Sequence, residues 1–194
     1  VEDSMIRIKY DNYEDFNNAI GHMYYKTPFT HNMLSFDYRF VGDQLKGGAS
    51  WNVRNSGIML HSQSAESNEF GQHFPVSIEL QLLGGLNTGE RTTANVCTPG
   101  TAVEMGDNVN YKHCINSSSK TYHGDQWVHC EAIVMGSEYM TFIIEGDTVV
   151  LEVGQSIKIE KGTRVQYSNP FDEVCEYLAI CLPAFSMDLV HREA

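Results

Sequence analysis

Apolar and polar residues alternate with a period of two through most of the chain, the pattern of a strand with one buried and one wet face. In "FPVSIELQLLGG", residues 74 to 85, Ile78, Leu80 and Leu82 alternate with Ser77, Glu79 and Gln81. "LSFDYRF" (34 to 40) sets Leu34, Phe36, Tyr38 and Phe40 against Ser35, Asp37 and Arg39, and "SGIMLHS" (56 to 62) sets Ile58 and Leu60 against Met59 and His61. "WVHCEAIV", "YMTFIIEGDTVVLEV", "SIKIEKGTRVQYSN" and "EYLAICL" continue as short strands, punctuated by the turn signals "EGD", "EKG" and "NP". Only "NYEDFNNAI" has room for a helical turn. The pattern predicts an all-β chain, a sandwich of two packed antiparallel sheets.

Two segments break the alternation. "GDQLKGGASWNVRNSG" (42 to 57) is rich in glycine and asparagine, and residues 87 to 126 are too long for an ordinary hairpin loop. The cysteines Cys97 and Cys114, the histidines His113 and His123, and Tyr111 and Tyr122 predict that the second segment is ordered.

A length of 194 residues fits one domain with a sizeable core. The balance of 13 basic against 25 acidic residues, a formal charge of -12, repels phosphates and anionic lipid, so neither nucleic acid nor a membrane is an expected partner. No apolar run approaches a bilayer-spanning length. The opening "VEDSMIRIKY" has neither a basic start nor an apolar signal core, so no signal peptide is read in this chain. Five cysteines cannot all pair internally, and none forms a C-x-x-C motif. Cys97 and Cys114 could be bridged in an oxidising compartment, the alternative being five reduced thiols.

In a two-sheet sandwich the oily faces meet, so Ser77, Glu79 and Gln81 are expected to look outward. If the sheet curves, that outer face becomes a groove. Neighbouring strands would add Met59 and His61, and loops would bring Trp51, Arg54, Asn55, Tyr122 and His123 to its rim. Carboxylate, amide, guanidinium and imidazole groups beside aromatic rings suit a sugar, which offers hydroxyls at its edge and C–H groups on its face. A plainly solvated sheet face shows the same alternation.

The strings "VEDSMIRIKY", "RNSGIMLHSQS", "FGQHFPVSIELQLLGG", "ANVCTPGT", "HCINSSSKTYHGDQWV" and "IEGDTVVLE" together resemble the 3-keto-disaccharide hydrolase family over about residues 1–152. The resemblance implies a concanavalin-like jelly roll, contact with carbohydrate and cleavage of a 3-keto-glycoside. Members are commonly exported, so it also implies a periplasmic or extracellular location. Laminarinase-type glycosidases of the same architecture carry E-x-D-x-x-E on one groove strand, where this chain reads Glu79, Leu80, Gln81, Leu82, Leu83, Gly84. One carboxylate remains, whereas retaining hydrolysis needs two at about 5 to 5.5 Å. A ketone at C3 opens another route, because it acidifies the C2 proton and lets one base expel the anomeric group.

The candidates for that base are Glu79, His123 and His61. Arg54 or Gln81 could polarise the ketone, and Trp51, Asn55 and Tyr122 would contact the sugar. No cofactor is required, and a divalent metal could do the polarising instead. Eight scattered histidines with no H-x-H or H-x-x-x-H pair give a metal little support, and His22, His113 and His129 read as structural or surface residues.

The tail, residues 153–194, resembles the closing strands of a cupin barrel. The second cupin motif aligns with Gly154, Glu160, Gly162, Val165 and Asn169. Val165 stands where that motif has a metal-binding histidine, so a metal-dependent cupin activity is not expected. The expected organisation is a sandwich over 1–152, with cupin-like strands that pack against it, complete it, or pair in a homodimer. Two other functions stay open: a non-catalytic carbohydrate-binding module using the same groove, and a metal-free cupin-like binding or assembly domain.

Overall fold

The computed structural model describes residues 5–105, 108–150 and 154–156. All of them fall in one compact unit, Val1–Lys158. The cupin-like motif positions Glu160, Gly162, Val165 and Asn169 lie outside the described residues.

The alternating segments become strands. In chain order these are β1 (His31–Tyr38), β2 (Asn55–Leu60), β3 (Ile78–Leu83), β4 (Asn95–Cys97), β5 (Ala102–Met105), β6 (Asn108–Asn110), β7 (Cys114–Ile115), β8 (Val128–Met135), β9 (Tyr139–Ile144), β10 (Asp147–Val150) and β11 (Gly154–Ser156). Two four-stranded sheets, β1-β8-β9-β10 and β2-β3-β4-β7, are joined by a small third sheet, β11-β5-β6. Every named strand pair is antiparallel.

The two large sheets meet face to face through their apolar residues. Ile78, Leu80, Leu82 and Val96 come from one sheet; Val128, Cys130, Ala132, Val134, Met140, Phe142 and Ile144 come from the other. Ile78, Leu80 and Phe142 are fully enclosed, and each such side chain contributes about 1.5–3 kcal/mol relative to exposure. This is the expected all-β sandwich of the jelly-roll type. The "EGD" signal is the turn of the β9–β10 hairpin, with Glu145 and Gly146 both left-handed (φ 52° and 83°), as a two-residue primed turn requires.

Three details depart from expectation. "NYEDFNNAI" forms bends and a tight non-helical turn at Asn17 and Asn18, whose positive φ (44° and 55°) breaks any helical run. Helical geometry among the described residues is limited to the 3-10 turns Ser50–Asn52 and Ala65–Ser67. Residues 87 to 126 are not one long loop, since they contain β4 to β7. Strands of two to four residues are too short to establish an alternation that sequence could reveal.

No helix among the described residues is long and apolar enough to cross a membrane.

Candidate functional site

Register decides which side chains share the face opposite the core. Glu79 is paired with Met59 on one side and Cys97 on the other, while Gln81 is paired with Gly57 and Asn95. Because side chains alternate along strands, these residues and Ser77 project from one face of the β2-β3-β4 sheet.

That face is not the open, outward-looking surface expected from the sequence. Ser77 is 1% exposed and Glu79 9%. The chain leading into β2 and β3 brings two aromatic rings together beside the pair. Trp51 precedes β2 and Phe74 precedes β3, so in an antiparallel pair they start at opposite ends. Their rings nevertheless lie 6.3 Å apart. The two lead-ins therefore approach each other beside the β2–β3 pair. Two side chains hold the Trp51 carbonyl in place: Asn55 Nδ2 donates to it at 3.0 Å and Arg91 Nη2 at 3.4 Å. His22 sits 6.3 Å from the Phe74 ring, with its Nε2 2.9 Å from the His73 carbonyl.

The Glu79 carboxyl has no hydrogen-bonding or ionic partner among the described residues. Burial alone pushes its pKa up to about 7. Its oxygens are not among the enclosed, unpartnered atoms of the described residues, which are Asn52 Oδ1, His61 Nε2 and His123 Nδ1. Gly57 makes the space for it, because a Cβ there would overlap the carboxyl. Gln81 Oε1 accepts from Asn95 Nδ2 at 3.1 Å, and Asn95 Oδ1 accepts from Thr92 Oγ1 at 2.7 Å and from the Ser117 amide at 3.0 Å. This chain of bonds fixes the amide orientation and leaves the Gln81 Nε2 hydrogens without a partner among the described residues.

The other expected groups go elsewhere. Arg54 and His61 bracket β2, and both take left-handed backbone angles (φ 47° and 46°) that redirect the side chain. Arg54 Nη1 donates to the carbonyls of Gly124 at 2.6 Å and Phe40 at 3.4 Å, and its stem packs on Gly84, so it braces the sheet end. The His61 imidazole makes its backbone contact with Gly136, in the β8–β9 turn of the other sheet, and burial lowers its pKa. His123 lies over Gly85, to which it is joined by a parallel bridge. Six residues of extended chain separate Gly85 from Glu79, roughly 20 Å at strand rise, so the two cannot share a proton. Tyr122 packs at the rim of the core, near the carboxylates of Glu145 and Asp147.

The register thus places Glu79, Gln81 and Asn55 on one face of the sheet, with the Trp51 carbonyl held by Asn55 and Arg91 at its Gly84 end, while Arg54, His61, His123 and Tyr122 direct their side chains elsewhere. Sequence reasoning missed Gly57, Phe74 and Arg91. Gly57 left a signal, since a glycine inside an alternating strand marks a close approach.

Cys97 and Cys114 are disulfide-bonded and tie β4 to β7 on the Glu79 face. Cys130 is a free, buried thiol in the core, and burial pushes its pKa up to about 12. No three His, Cys, Asp or Glu residues among those described gather to hold a metal ion.

The model of the 3-keto-alpha-glucoside-1,2-lyase-like domain matches residues 1–171, beyond residue 152, where the resemblance read from sequence ended. A stretch of 63 residues is 30% identical to endoribonuclease YbeY of Myxococcus xanthus (strain DK1622), covering 32% of this chain and 21% of that protein. The chain thus spans about a fifth of that relative's length. No solved structure matches.

Proposed function

The chain belongs to the 3-keto-alpha-glucoside-1,2-lyase-like domain family and is a carbohydrate-active protein; from that premise we propose that its substrate is a 3-keto-glycoside and that Glu79 takes the proton from C2. The ketone at C3 draws electron density from C2 and acidifies its hydrogen. As the Glu79 carboxylate removes that proton, the electron pair forms a C1=C2 double bond and the bond from C1 to the glycosidic oxygen breaks. The departing oxygen then takes a proton, from Glu79 or from water. The products are a free alcohol and a sugar ring whose new double bond is conjugated with the ketone. Addition of water across that bond converts the same chemistry into net hydrolysis.

The observation that carries this reading is a carboxyl 9% exposed, with no bonding partner among the described residues and a pKa raised by burial to about 7. A base is most effective when its pKa lies near the working pH, and an unpaired carboxylate keeps its lone pairs free for a carbon-bound proton. The Gln81 amide, pinned by Asn95, presents N–H groups two residues along the same face for the oxygen on which negative charge develops. Trp51, half exposed and set against Phe74, offers the flat surface on which a sugar ring stacks. The described strands of this face carry no second carboxylate, which favours elimination over a paired-carboxylate mechanism.

The test is turnover of a 3-keto-glycoside by the wild type and Glu79→Gln. The expected result is a kcat lower by about 10²- to 10⁴-fold in the variant. The wild-type rate should rise with pH through about 7 as the carboxyl ionises. Equal turnover by the two proteins would rule Glu79 out as the base. Saturable sugar binding with no turnover by the wild type would point instead to a binding module.

A further inference from the structure

Tyr122 was expected beside Glu79, but it lines a separate cavity of about 320 Å³ between the loop after β7 and the edge strand β10. The construction of this cavity is specific. β10 carries a bulge between Thr148 and Val150, which takes Val149 out of the regular ladder with β9. Bulges at sheet edges redirect side chains and interrupt pairing, and are common next to binding sites. The freed Val149 carbonyl accepts from both the amide and the hydroxyl of Ser118, each at 3.3 Å, so the loop is strapped across the bulge.

The loop itself is held from behind. Ser119 Oγ accepts the Thr93 amide at 2.7 Å, and the Ser117 hydroxyl donates to the Thr93 carbonyl. The Tyr122 carbonyl accepts the Gly85 amide at 2.7 Å. Three serine hydroxyls are thereby spent on backbone, and the polar groups left facing the cavity are Lys120, Tyr122, Asp147 and Thr148. These bonds tie down the loop that forms one wall, which lowers the ordering cost of binding.

We infer that this cavity binds a small neutral polyhydroxylated molecule, a single sugar ring or a polyol of that size, at a site distinct from the Glu79 face. The volume sits at the low end of ligand pockets, about 300 Å³, which is room for one ring. One ammonium, one carboxylate and two hydroxyls offer donors and acceptors together, matching a ring of hydroxyls that each donate and accept. Lys120 and Asp147 offset each other in charge, and the Glu145 carboxylate next to Tyr122 disfavours an anion.

Binding is read by ligand-observed saturation-transfer NMR with D-glucose and by amide shifts of the labelled protein, independently of any turnover. D-Glucose should receive saturation from the wild type and from Glu79→Gln, with amide shifts confined to residues 118–122 and 147–149. Asp147→Asn, an exposed substitution that leaves the core untouched, should weaken binding about tenfold, the effect of one lost hydrogen bond to a charged group. Tyr122→Phe should weaken it less. Absence of transfer from the wild type overturns the inference. So does binding that Glu79→Gln abolishes while Asp147→Asn preserves it, or displacement of D-glucose by inorganic phosphate. The Glu79 mechanism could fail its own test without altering any of these outcomes.

Discussion

The outer faces of the two large sheets are written in the same alternating code, yet they hold their charges in opposite ways. On the β1–β8 pair, Asp37 and His129 are open to water and Glu131 is half-buried beside them. Asp37 Oδ1 lies 2.9 Å from His129 Nδ1, and Glu131 Oε1 lies 3.2 Å from its Nε2. There a histidine pKa is raised mainly by hydrogen bonds to two carboxylates, with burial working against it. On the β2–β3 pair a single carboxyl is buried without a counter-ion among the described residues, and its pKa is raised by desolvation alone. The first arrangement stabilises charge and leaves no group free to react. The second disfavours charge and leaves a base without a partner. What separates them is burial, since Glu79 is 9% exposed whereas the Asp37 and His129 side chains are open to water.

The largest test of the contrast is the pH dependence of stability in Glu79→Gln. The folded pKa of Glu79, about 7, lies above its ordinary value of 4.5, so between those values the folded state binds more protons than the unfolded. Stability from this group is therefore full at low pH, declines as pH rises from 4.5, and is lost above about 7. An isosteric amide removes the penalty. Glu79→Gln should match the wild type near the bottom of that window and exceed it above pH 7 by up to about 3 kcal/mol. Denaturant titrations at several pH values measure this, and parallel curves would mean that water reaches the carboxyl freely.

Gly57→Ala tests the space rather than the charge. The new methyl would overlap the Glu79 carboxyl, which must swing away or strain the strand. Overpacking of this kind costs about 1–3 kcal/mol, offset in part because glycine is itself a poor strand residue. Loss of turnover should exceed what the loss of stability explains, since the carboxyl is displaced even in folded molecules. Gly21, whose added Cβ would meet nothing within 4 Å, provides the neutral comparison. A Gly57→Ala protein with wild-type turnover would show that the position of the carboxyl matters little.

How much of this could be read in the sequence follows from the same physics. Ile78, Leu80 and Leu82 predicted the core side of β3, and register then left Glu79 and Gln81 no choice but the other face. Burial of that face was not legible, because alternation tells which residues share a face and not what lies against it. The placement of Arg54 and His61 failed for a local reason. Each sits one residue beyond β2 with positive φ, so strand alternation no longer dictates where its side chain goes. Tyr122 and His123 belong to a stretch whose strands are too short to show a pattern, and their distance from Glu79 is a property of topology. The pairing of Cys97 with Cys114 was one of two open readings, and it follows from β4 and β7 lying side by side.

The smallest expected effect lies on the exposed face. The folded pKa of His129 is raised above its ordinary 6.5, so its contribution is fully present below that value and fades as pH rises through the folded pKa. Ion pairs this open to water are screened, and salt weakens them further. His129→Gln should therefore lower Tm slightly under mildly acidic conditions and in low salt, and not at all at alkaline pH or high salt. The sign of this pH dependence matches that of Glu79, although the causes are opposite: a favourable charge is lost in one case and an unfavourable one gained in the other. Salt is what separates them, since screening acts on the exposed His129 pair and leaves the enclosed Glu79 carboxyl nearly untouched. Equal salt sensitivity of the two pH profiles would mean that the two faces are equally open to solvent, and the distinction between them would fail.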